Sequence, residues 1–274
     1  MVYDRHELFE TNKKGDHIID KIPRIFEILT NRWLDGLIGV SEDHLVSLNR
    51  LFMRSRIAIV PNYPEPSGFG VHELQDKFPD QENPIVRMVY FGSLNVNLDR
   101  DIFLVLLVMK EVLRKNPCSF AHIGGLTEDP TFLSYIKEME KEFPGRFYFL
   151  GYVPYDTVLN YTSQASLGFL CMKPEYWVRV SANKVYEYLH FGVIPIIKAD
   201  IENPETIAEC SLFFSKEERN EEIVSAVSSL VGEKDRMKMM MGRSYELGRE
   251  YTFDRVKERY LWVYSCCFSK KLKY

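Results

Sequence analysis

From Ile85 onward the sequence alternates between short apolar strands and helical segments. The predicted strands are VRMVYF, SFAHI, RFYFL, SLGFL, VIPII and SLFF, at residues 86–91, 119–123, 146–150, 166–170, 193–197 and 211–214. They are apolar on both faces and bounded by glycine or polar residues, as central strands of a parallel sheet are. Helices are predicted between them, at 100–115, 131–142, 155–164, 183–191 and 203–209. This alternation predicts an α/β fold with a doubly wound parallel sheet.

The two ends of the chain follow other patterns. Near the C-terminus, amphipathic helices are predicted at 219–232 and 234–249, and the segment FDRVKERYLWVYSCC predicts a final helix. The first sixty residues predict helices and strands in alternation, at 17–33, 36–40, 41–52 and 56–60. The segment NYPEPSG then breaks regular structure and a polar stretch runs to Pro84, which is typical of an interdomain linker. The N-terminal part therefore amounts to about half of an α/β domain.

Composition and charge limit the class of protein. The 274 residues carry a net charge of −4, which does not favour a nucleic-acid partner. Five cysteines lack metal-ligand spacing, so we expect inert thiols in a reducing cytosol. The chain starts with the charged segment MVYDRHELFE, unlike a signal peptide, and its longest apolar run, FLVLLVM, is too short to span a bilayer. These features predict a cytoplasmic protein.

The segment SANKVYEYLHFGVIPII, residues 181–197, predicts one short helix followed by a buried strand. Ser181 or Asn183 can cap the helix start, because either side chain can accept from a free backbone N–H. Gly192 suits the left-handed position past the helix end. Three apolar residues share one helical face, where they would meet a core: Val185, Tyr188 and Leu189.

Glu187 lies off this apolar face, near the helix N-terminus. At that place a carboxylate and free backbone N–H groups can meet a sugar hydroxyl and a phosphate together. From these residues alone, an ordinary helix–strand unit with a favourably placed glutamate is the preferred interpretation.

The string NKVYEYLHFGVIPI resembles the donor-site segment of the family 4 retaining glycosyltransferases, which have the GT-B fold. The resemblance implies two Rossmann-like domains that face each other across a cleft. Residues 85–250 look like a complete domain for the nucleotide-sugar donor. Residues 1–60 resemble only the last part of an acceptor domain, beginning at the string VYDRHELF, and 61–84 would be the linker. Residues 251–274 resemble the family's C-terminal helix, which crosses back to the N-terminal part.

The implied function is transfer of a sugar from a nucleotide-diphosphate sugar to a glycan or lipid-linked acceptor, with retention of configuration. Beyond the donor substrate, the resemblance implies no cofactor and no bound metal. The absence of a G-x-G-x-x-G motif disfavours a dinucleotide oxidoreductase. An epimerase of the same architecture is disfavoured because it needs acid–base residues from both domains.

The alternative is a non-catalytic nucleotide-sugar-binding module that needs a partner chain for the missing acceptor domain. A half-sheet has an open edge, so a homo- or hetero-oligomer could cover it. The C-terminal tail carries three lysines, which either contact anionic lipid at the inner face of the membrane or, as is more common at a terminus, are simply solvated.

The resemblance assigns Glu187 both a catalytic role and a role in binding the donor ribose hydroxyls. Asn183 and Lys184 open the same helix, and Lys184 either neutralises a diphosphate or is a surface lysine. The family often has a second Glu where this chain has Arg179. A guanidinium cannot accept from sugar hydroxyls, so Arg179 would instead bind phosphate.

A phosphate-binding loop is implied after the first donor-domain strand, at Gly92 and Ser93. Glycine allows a ligand to approach the backbone closely. Ser93 stands where the family has arginine. Arg100 lies one residue beyond the expected lysine and is either a phosphate ligand or an ion-pair partner of the neighbouring aspartates.

The remaining implied site residues lie at three other strand ends. Gly124 and the segment with Tyr152 and Val153 would shape the nucleotide pocket, with Tyr152 or Val153 against the base. His6 matches a histidine of the acceptor domain that reaches the donor sugar, and the alternative is a loop histidine in a chain-terminal segment.

Overall fold

The computed structural model describes residues 2–5, 25, 29, 33–41, 56–65, 85–177, 183–201 and 204–271. Two compact units are present: one holds Met1–Pro66 and Thr252–Tyr274, and the other holds Ser67–Tyr251. Nearly all of the helices predicted at 17–33 and 41–52 and most of the linker predicted at 61–84 lie outside the described residues.

The strands are β1 (Val2–Arg5), β2 (Gly36–Gly39), β3 (Arg56–Ile59), β4 (Val86–Phe91), β5 (Ser119–Gly124), β6 (Phe147–Phe149), β7 (Leu167–Cys171), β8 (Ile194–Lys198) and β9 (Leu212–Phe213). The helices with both ends described are α1 (Ile102–Lys115), α2 (Pro130–Glu142), α3 (Tyr155–Ser163), α4 (Asn183–His190), α5 (Pro204–Ile207), α6 (Asn220–Gly232), α7 (Lys234–Gly248) and α8 (Phe253–Lys271).

The first unit contains a parallel sheet with the order β1-β2-β3. Helix α8 packs on this sheet, and Val256, Val263 and Cys267 form a buried cluster with residues of β2 and β3. Gly36 permits this close packing, because a Cβ at that position would lie 2.5 Å from Val263 Cγ1. Strand β1 was not predicted as a strand, and it ends at Arg5, immediately before His6.

The second unit contains a six-stranded sheet with the order β6-β5-β4-β7-β8-β9. Every neighbouring pair is parallel. The chain starts at β4, moves outward through β5 to β6, and then returns to β7 on the other side of β4. The predicted doubly wound sheet is therefore confirmed, and each of its six strands ends within one residue of the predicted bounds. In such sheets ligands bind at the carboxyl ends of the strands where the order reverses, which here is between β4 and β7.

The main core of the second unit lies between the sheet and helices α1, α2, α6 and α7. Helix α1 supplies eight buried residues to it, from Ile102 to Leu113. Its start is fixed by Asp101, whose Oδ1 accepts a hydrogen bond from the Leu104 backbone at 3.1 Å. Capping by an aspartate is typical of helix starts, so α1 begins directly after the loop that follows β4.

Helix α4 is held tightly against strand β7. The predicted apolar face is confirmed, since Val185, Tyr188 and Leu189 are buried. The Tyr188 ring occupies the space over Gly168, where a Cβ would lie 2.6 Å from ring atoms. The Tyr188 hydroxyl donates to the Phe169 carbonyl at 3.2 Å. These contacts fix the rotation of α4, so its opposite face is held towards the switch point.

The end of α4 is a Schellman motif centred on Gly192. The Gly192 N–H donates to the Leu189 carbonyl at 2.9 Å, and the Val193 N–H donates to the Tyr188 carbonyl at 2.9 Å. Gly192 has φ +64°, the left-handed conformation that the sequence predicted. The turn lets the chain pass directly from α4 into β8.

Gly192→Ala should lower the free energy of unfolding by about 1–2 kcal/mol, because a Cβ is disfavoured in the left-handed conformation. Gly242→Ala, inside helix α7 where an added Cβ meets nothing within 4 Å, is the matched control. It should leave stability unchanged or raise it by up to about 1 kcal/mol, because alanine favours helices. Urea unfolding measures both changes, and an equal loss in the two variants would contradict this role of Gly192.

Candidate functional site

A cavity of about 390 Å³ opens at the carboxyl ends of β4 and β5, beside the first turns of α3 and α4. It lies where the strand order reverses, the usual ligand position in a doubly wound sheet. The cavity brings together seven of the residues predicted from the sequence: Gly92, Ser93, Gly124, Tyr152, Val153, Lys184 and Glu187.

Three glycines form the part of the cavity next to the sheet. The Gly92 N–H donates to the Gly124 carbonyl at 3.1 Å, and the Gly125 N–H donates to the Gly151 carbonyl at 2.8 Å. A Cβ at Gly125 would lie 2.0 Å from the Gly92 carbonyl oxygen. The loops that follow β4 and β5 therefore approach closely only because neither has a side chain at this point. The lack of side chains also leaves room for a ligand to lie against the backbone.

Lys184 and Glu187 are three residues apart in α4, so they lie on the same face of the helix. This face is opposite the buried one, and both side chains line the cavity. The Lys184 Cε lies 3.3 Å from the position that a Cβ on Gly92 would take. The Lys184 side chain therefore runs along the surface that the three glycines form, which we call the glycine surface.

Among the residues that the structure describes, the Lys184 ammonium has no close partner. No hydrogen bond or ion pair joins it to any residue that the structure describes. Burial lowers its pKa from the usual value, the Glu187 carboxylate opposes this shift, and the positive charge of Arg100 adds to it. A partly desolvated cation close to a second cation would be stabilised by an anion in the cavity.

Glu187 has one close partner, the phenol of Tyr155. The Tyr155 hydroxyl donates to Glu187 Oε1 at 2.8 Å, which joins the first residue of α3 to the fifth residue of α4. Burial raises the pKa of Tyr155 above its ordinary value, and the Glu187 charge raises it further. The phenol therefore stays protonated and remains a hydrogen-bond donor at neutral pH.

Apolar and aromatic side chains form the outer wall of the cavity. Tyr152 is 72% exposed and Leu126 is 71% exposed, although both are large and apolar. Val153 and Val158 continue the wall towards Tyr155. An exposed aromatic face beside an apolar wall is suited to a planar ring, because rings gain from stacking.

Other predicted residues lie outside the cavity lining. Arg100 is held by Asp99, with Nη1 2.7 Å from Oδ2, and the same nitrogen is 2.6 Å from Met172 Sδ. Arg100 therefore acts on the cavity through its charge. Asn183 begins α4, one residue before Lys184. His6 and Arg179 are not among the described residues, and their roles stay predictions.

Tyr155 is the polar member of the site that sequence reasoning missed, and the apolar lining residues Leu126 and Val158 were not predicted either. Its partner Glu187 is 32 residues further along the chain, and no spacing pattern joins the two. The available signal was its position directly after Pro154, at the start of a helix that follows a parallel strand. Such helix starts lie at the carboxyl edge of the sheet together with the other loops.

No protein-family model matches this sequence, and no curated protein matches it. Several solved structures are similar. The pneumococcal O-GlcNAc transferase GtfA, in complex with UDP and GlcNAc, has a TM-score of 0.62 at 13% identity, covering 88% of this chain and 47% of GtfA. HepE from Anabaena, in complex with UDP-glucose, has a TM-score of 0.65 at 12% identity, covering 96% of this chain and 71% of HepE. WaaG, a glycosyltransferase involved in lipopolysaccharide biosynthesis, has a TM-score of 0.63 at 11% identity, covering 90% of this chain and 70% of WaaG.

These similarities establish the fold. It is of the GT-B type, with a doubly wound C-terminal domain and a partial N-terminal α/β domain. The chain spans about half the length of GtfA and of TarM, another similar structure.

The described residues contain neither a metal-binding cluster nor a membrane-spanning helix. They contain no group of three or more His, Cys, Asp or Glu side chains that could hold a metal ion. Within the same residues, no helix is long and apolar enough to cross a membrane.

Gly125→Ala should destabilise the fold more than Gly145→Ala does. The first variant places a Cβ against the Gly92 carbonyl, whereas a Cβ at Gly145 meets nothing within 4 Å. Gly145 has φ +69°, so its replacement tests the backbone conformation alone. We expect Gly125→Ala to lower the free energy of unfolding by about 1–3 kcal/mol more than the control, as overpacking does. Equal values from urea unfolding would show that the two loops do not need this close approach.

Proposed function

We propose that this chain is a glycosyltransferase that takes a sugar from a nucleotide-diphosphate sugar and transfers it to a glycan or lipid-linked acceptor. The observation that carries the proposal is that Lys184, which has no hydrogen bond or ion pair among the described residues, lines the same cavity as Glu187 at the strand-order reversal. The three similar structures described above support it, since GtfA was solved with UDP and GlcNAc and HepE with UDP-glucose.

The diphosphate is proposed to lie against the glycine surface, beside Lys184. The ammonium would supply the positive charge, and the N-terminal end of α4 would add its partial positive charge and free N–H groups. Gly92 and Gly125 already donate their own N–H groups within the protein, so their contribution is space for the phosphates. Arg100 and Arg179 are proposed to add positive charge to this region, Asn183 would supply a neutral hydrogen-bonding group, and Ser93 would lie beside the phosphates.

The nucleoside is proposed to bind on the other side of the cavity. Glu187 would accept hydrogen bonds from the ribose hydroxyls, and bonds to a charged acceptor are among the stronger ones. Gly124 would leave room for the sugar–base unit against the backbone, and Tyr152 or Val153 would pack against the base. This arrangement puts the two ends of a nucleoside diphosphate on the two chemically different sides of the cavity.

Transfer with retention of configuration is part of the proposal. The acceptor oxygen would bond to the anomeric carbon as the bond from that carbon to the diphosphate oxygen breaks, and the acceptor's proton would pass to the leaving diphosphate. Lys184 would stabilise the charge that develops on this oxygen. His6 is proposed to contact the donor sugar, since it follows β1 directly. A cytoplasmic enzyme that acts near the inner face of the membrane would meet a lipid-linked acceptor.

A second candidate is a nucleotide-sugar-binding module whose acceptor-side half is supplied by another copy or another chain. It is favoured by the three-stranded sheet in the described part of the first unit, whose edges would be covered by such a partner. The two candidates share the same donor site and differ in whether the chain alone catalyses transfer. A monomer that turns over donor and acceptor unaided would exclude the second one.

Thermal-shift titration with UDP, GDP, ADP and CMP tests the donor site. We expect one of them to stabilise the wild-type chain, by about 2.7 kcal/mol at one hundred times its dissociation constant. Glu187→Ala should weaken that ligand by about 10- to 100-fold, the usual effect of losing hydrogen bonds to a charged group. Lys184→Gln should weaken binding of the nucleoside diphosphate more than binding of the corresponding free nucleoside, because only the diphosphate interacts with the Lys184 ammonium.

Glu138→Ala is the matched control, because Glu138 is an exposed glutamate on helix α2. It should leave the affinity unchanged. If the nucleotide stabilised the Glu187→Ala variant as much as the wild type, the proposed role of Glu187 would be refuted. The absence of a shift with all four nucleotides would refute the donor site as a whole.

A further inference from the structure

We propose that Tyr155 is a positioning residue of the donor site, which orients the Glu187 carboxylate for the hydroxyls of the ligand's ribose. This inference rests on the proposed function, since it deepens the account of how the donor is recognised. It adds a role for a residue that no sequence motif indicated.

The geometry that carries the inference is one hydrogen bond across the cavity. Tyr155 begins α3, and its hydroxyl is 2.8 Å from Glu187 Oε1. Both residues line the cavity, and Tyr155 is 55% exposed. No other side chain among the described residues hydrogen-bonds the Glu187 carboxylate. The phenol is therefore the contact that selects one orientation of a side chain which otherwise has several rotatable bonds.

The bond leaves the carboxylate able to bind a ligand. An ionised carboxylate has two oxygens and about four lone-pair positions, whereas a phenol donates a single hydrogen. With Oε1 used once by Tyr155, Oε2 and a remaining position on Oε1 can still accept from two vicinal hydroxyls. Orientation before binding raises affinity because less side-chain freedom is lost when the ligand arrives.

Near neutral pH the Tyr155 phenol does not act as an acid or a base. Burial and the adjacent carboxylate both raise the pKa of Tyr155, so the donor hydrogen stays in place. Lys184, the other charged group on this side of α4, attracts Glu187 but forms no ion pair with it. The orientation of the carboxylate thus depends on Tyr155 rather than on the lysine.

An opposite role for the same bond makes an opposite prediction. If the Tyr155 hydroxyl occupied the place of a ribose hydroxyl, it would compete with the ligand, and its removal would tighten binding. If it positions the carboxylate, its removal weakens binding. The sign of the effect of Tyr155→Phe therefore separates the two roles.

The test is isothermal titration calorimetry on wild type, Tyr155→Phe, Glu187→Ala and the double variant. The probes are the nucleoside diphosphate that gives the largest thermal shift and its 2′,3′-dideoxy analogue. We expect Tyr155→Phe to lower the affinity for the ribonucleotide by about five- to tenfold, a moderate hydrogen-bond effect. Its affinity for the dideoxy analogue should stay within about twofold of the wild-type value. In the Glu187→Ala background the same substitution should have no further effect on either ligand.

Tyr148→Phe is the matched control for loss of a tyrosine hydroxyl. Its hydroxyl donates to the Gly145 carbonyl at 2.6 Å and does not line the cavity. It should change neither affinity. Tighter binding by Tyr155→Phe, no change, or equal loss for both ligands would each overturn the positioning role while leaving the proposed function intact. A wild-type chain that binds none of the nucleotides would overturn the proposed function and this inference together.

Discussion

The pairing of β4 with β7 is the constraint on which the rest of the second unit depends. These two strands are neighbours in space, yet the chain travels from β4 outward to β6 before it returns to β7. The loops that leave their carboxyl ends therefore run to opposite sides and leave a space between them. The observed cavity lies in this space, and each of its walls comes from a different crossover. The position of the site is thus a consequence of strand order, whereas the residues that line it determine its shape and what it can bind.

Small residues decide how precisely the walls are placed. Gly168 allows Tyr188 to lie flat on β7, and Gly248 brings α7 within close contact of the α4 backbone, since a Cβ there would be 2.3 Å from the Leu189 carbonyl oxygen. Helix α4 is therefore clamped on two sides, and Lys184 and Glu187 project from a rigid support. A rigid support for polar groups is what binding sites generally require, because loose groups lose freedom when a ligand binds.

Much of the fold was predictable from the sequence. The strands of the second sheet are buried on both faces, so they appear as short apolar runs, most of them bounded by glycine or polar residues. Strand β1 could not be found this way, because VYDR has only four residues and two of them are charged. Its partner β2 is what makes it a strand, and pairing between distant segments does not show in a local pattern.

The candidate site was predictable in part. Glu187 and Lys184 were proposed because the string around them resembles a known donor segment. Gly92 was proposed because the same family has a phosphate-binding loop after this strand, and the fold brings all three residues into one cavity. The same reasoning gave Arg100 two possible roles, and only its geometry showed the ion pair with Asp99. The bond between Tyr155 and Glu187 depends on how α3 and α4 meet, which is a property of the folded chain.

The most direct test of the central claim is a crystal structure of this chain with the nucleoside diphosphate that stabilises it most. The account predicts the diphosphate beside Lys184 against Gly92, with the ribose hydroxyls within hydrogen-bond distance of Glu187. A nucleotide bound elsewhere on the second unit, with this cavity unchanged, would contradict the account.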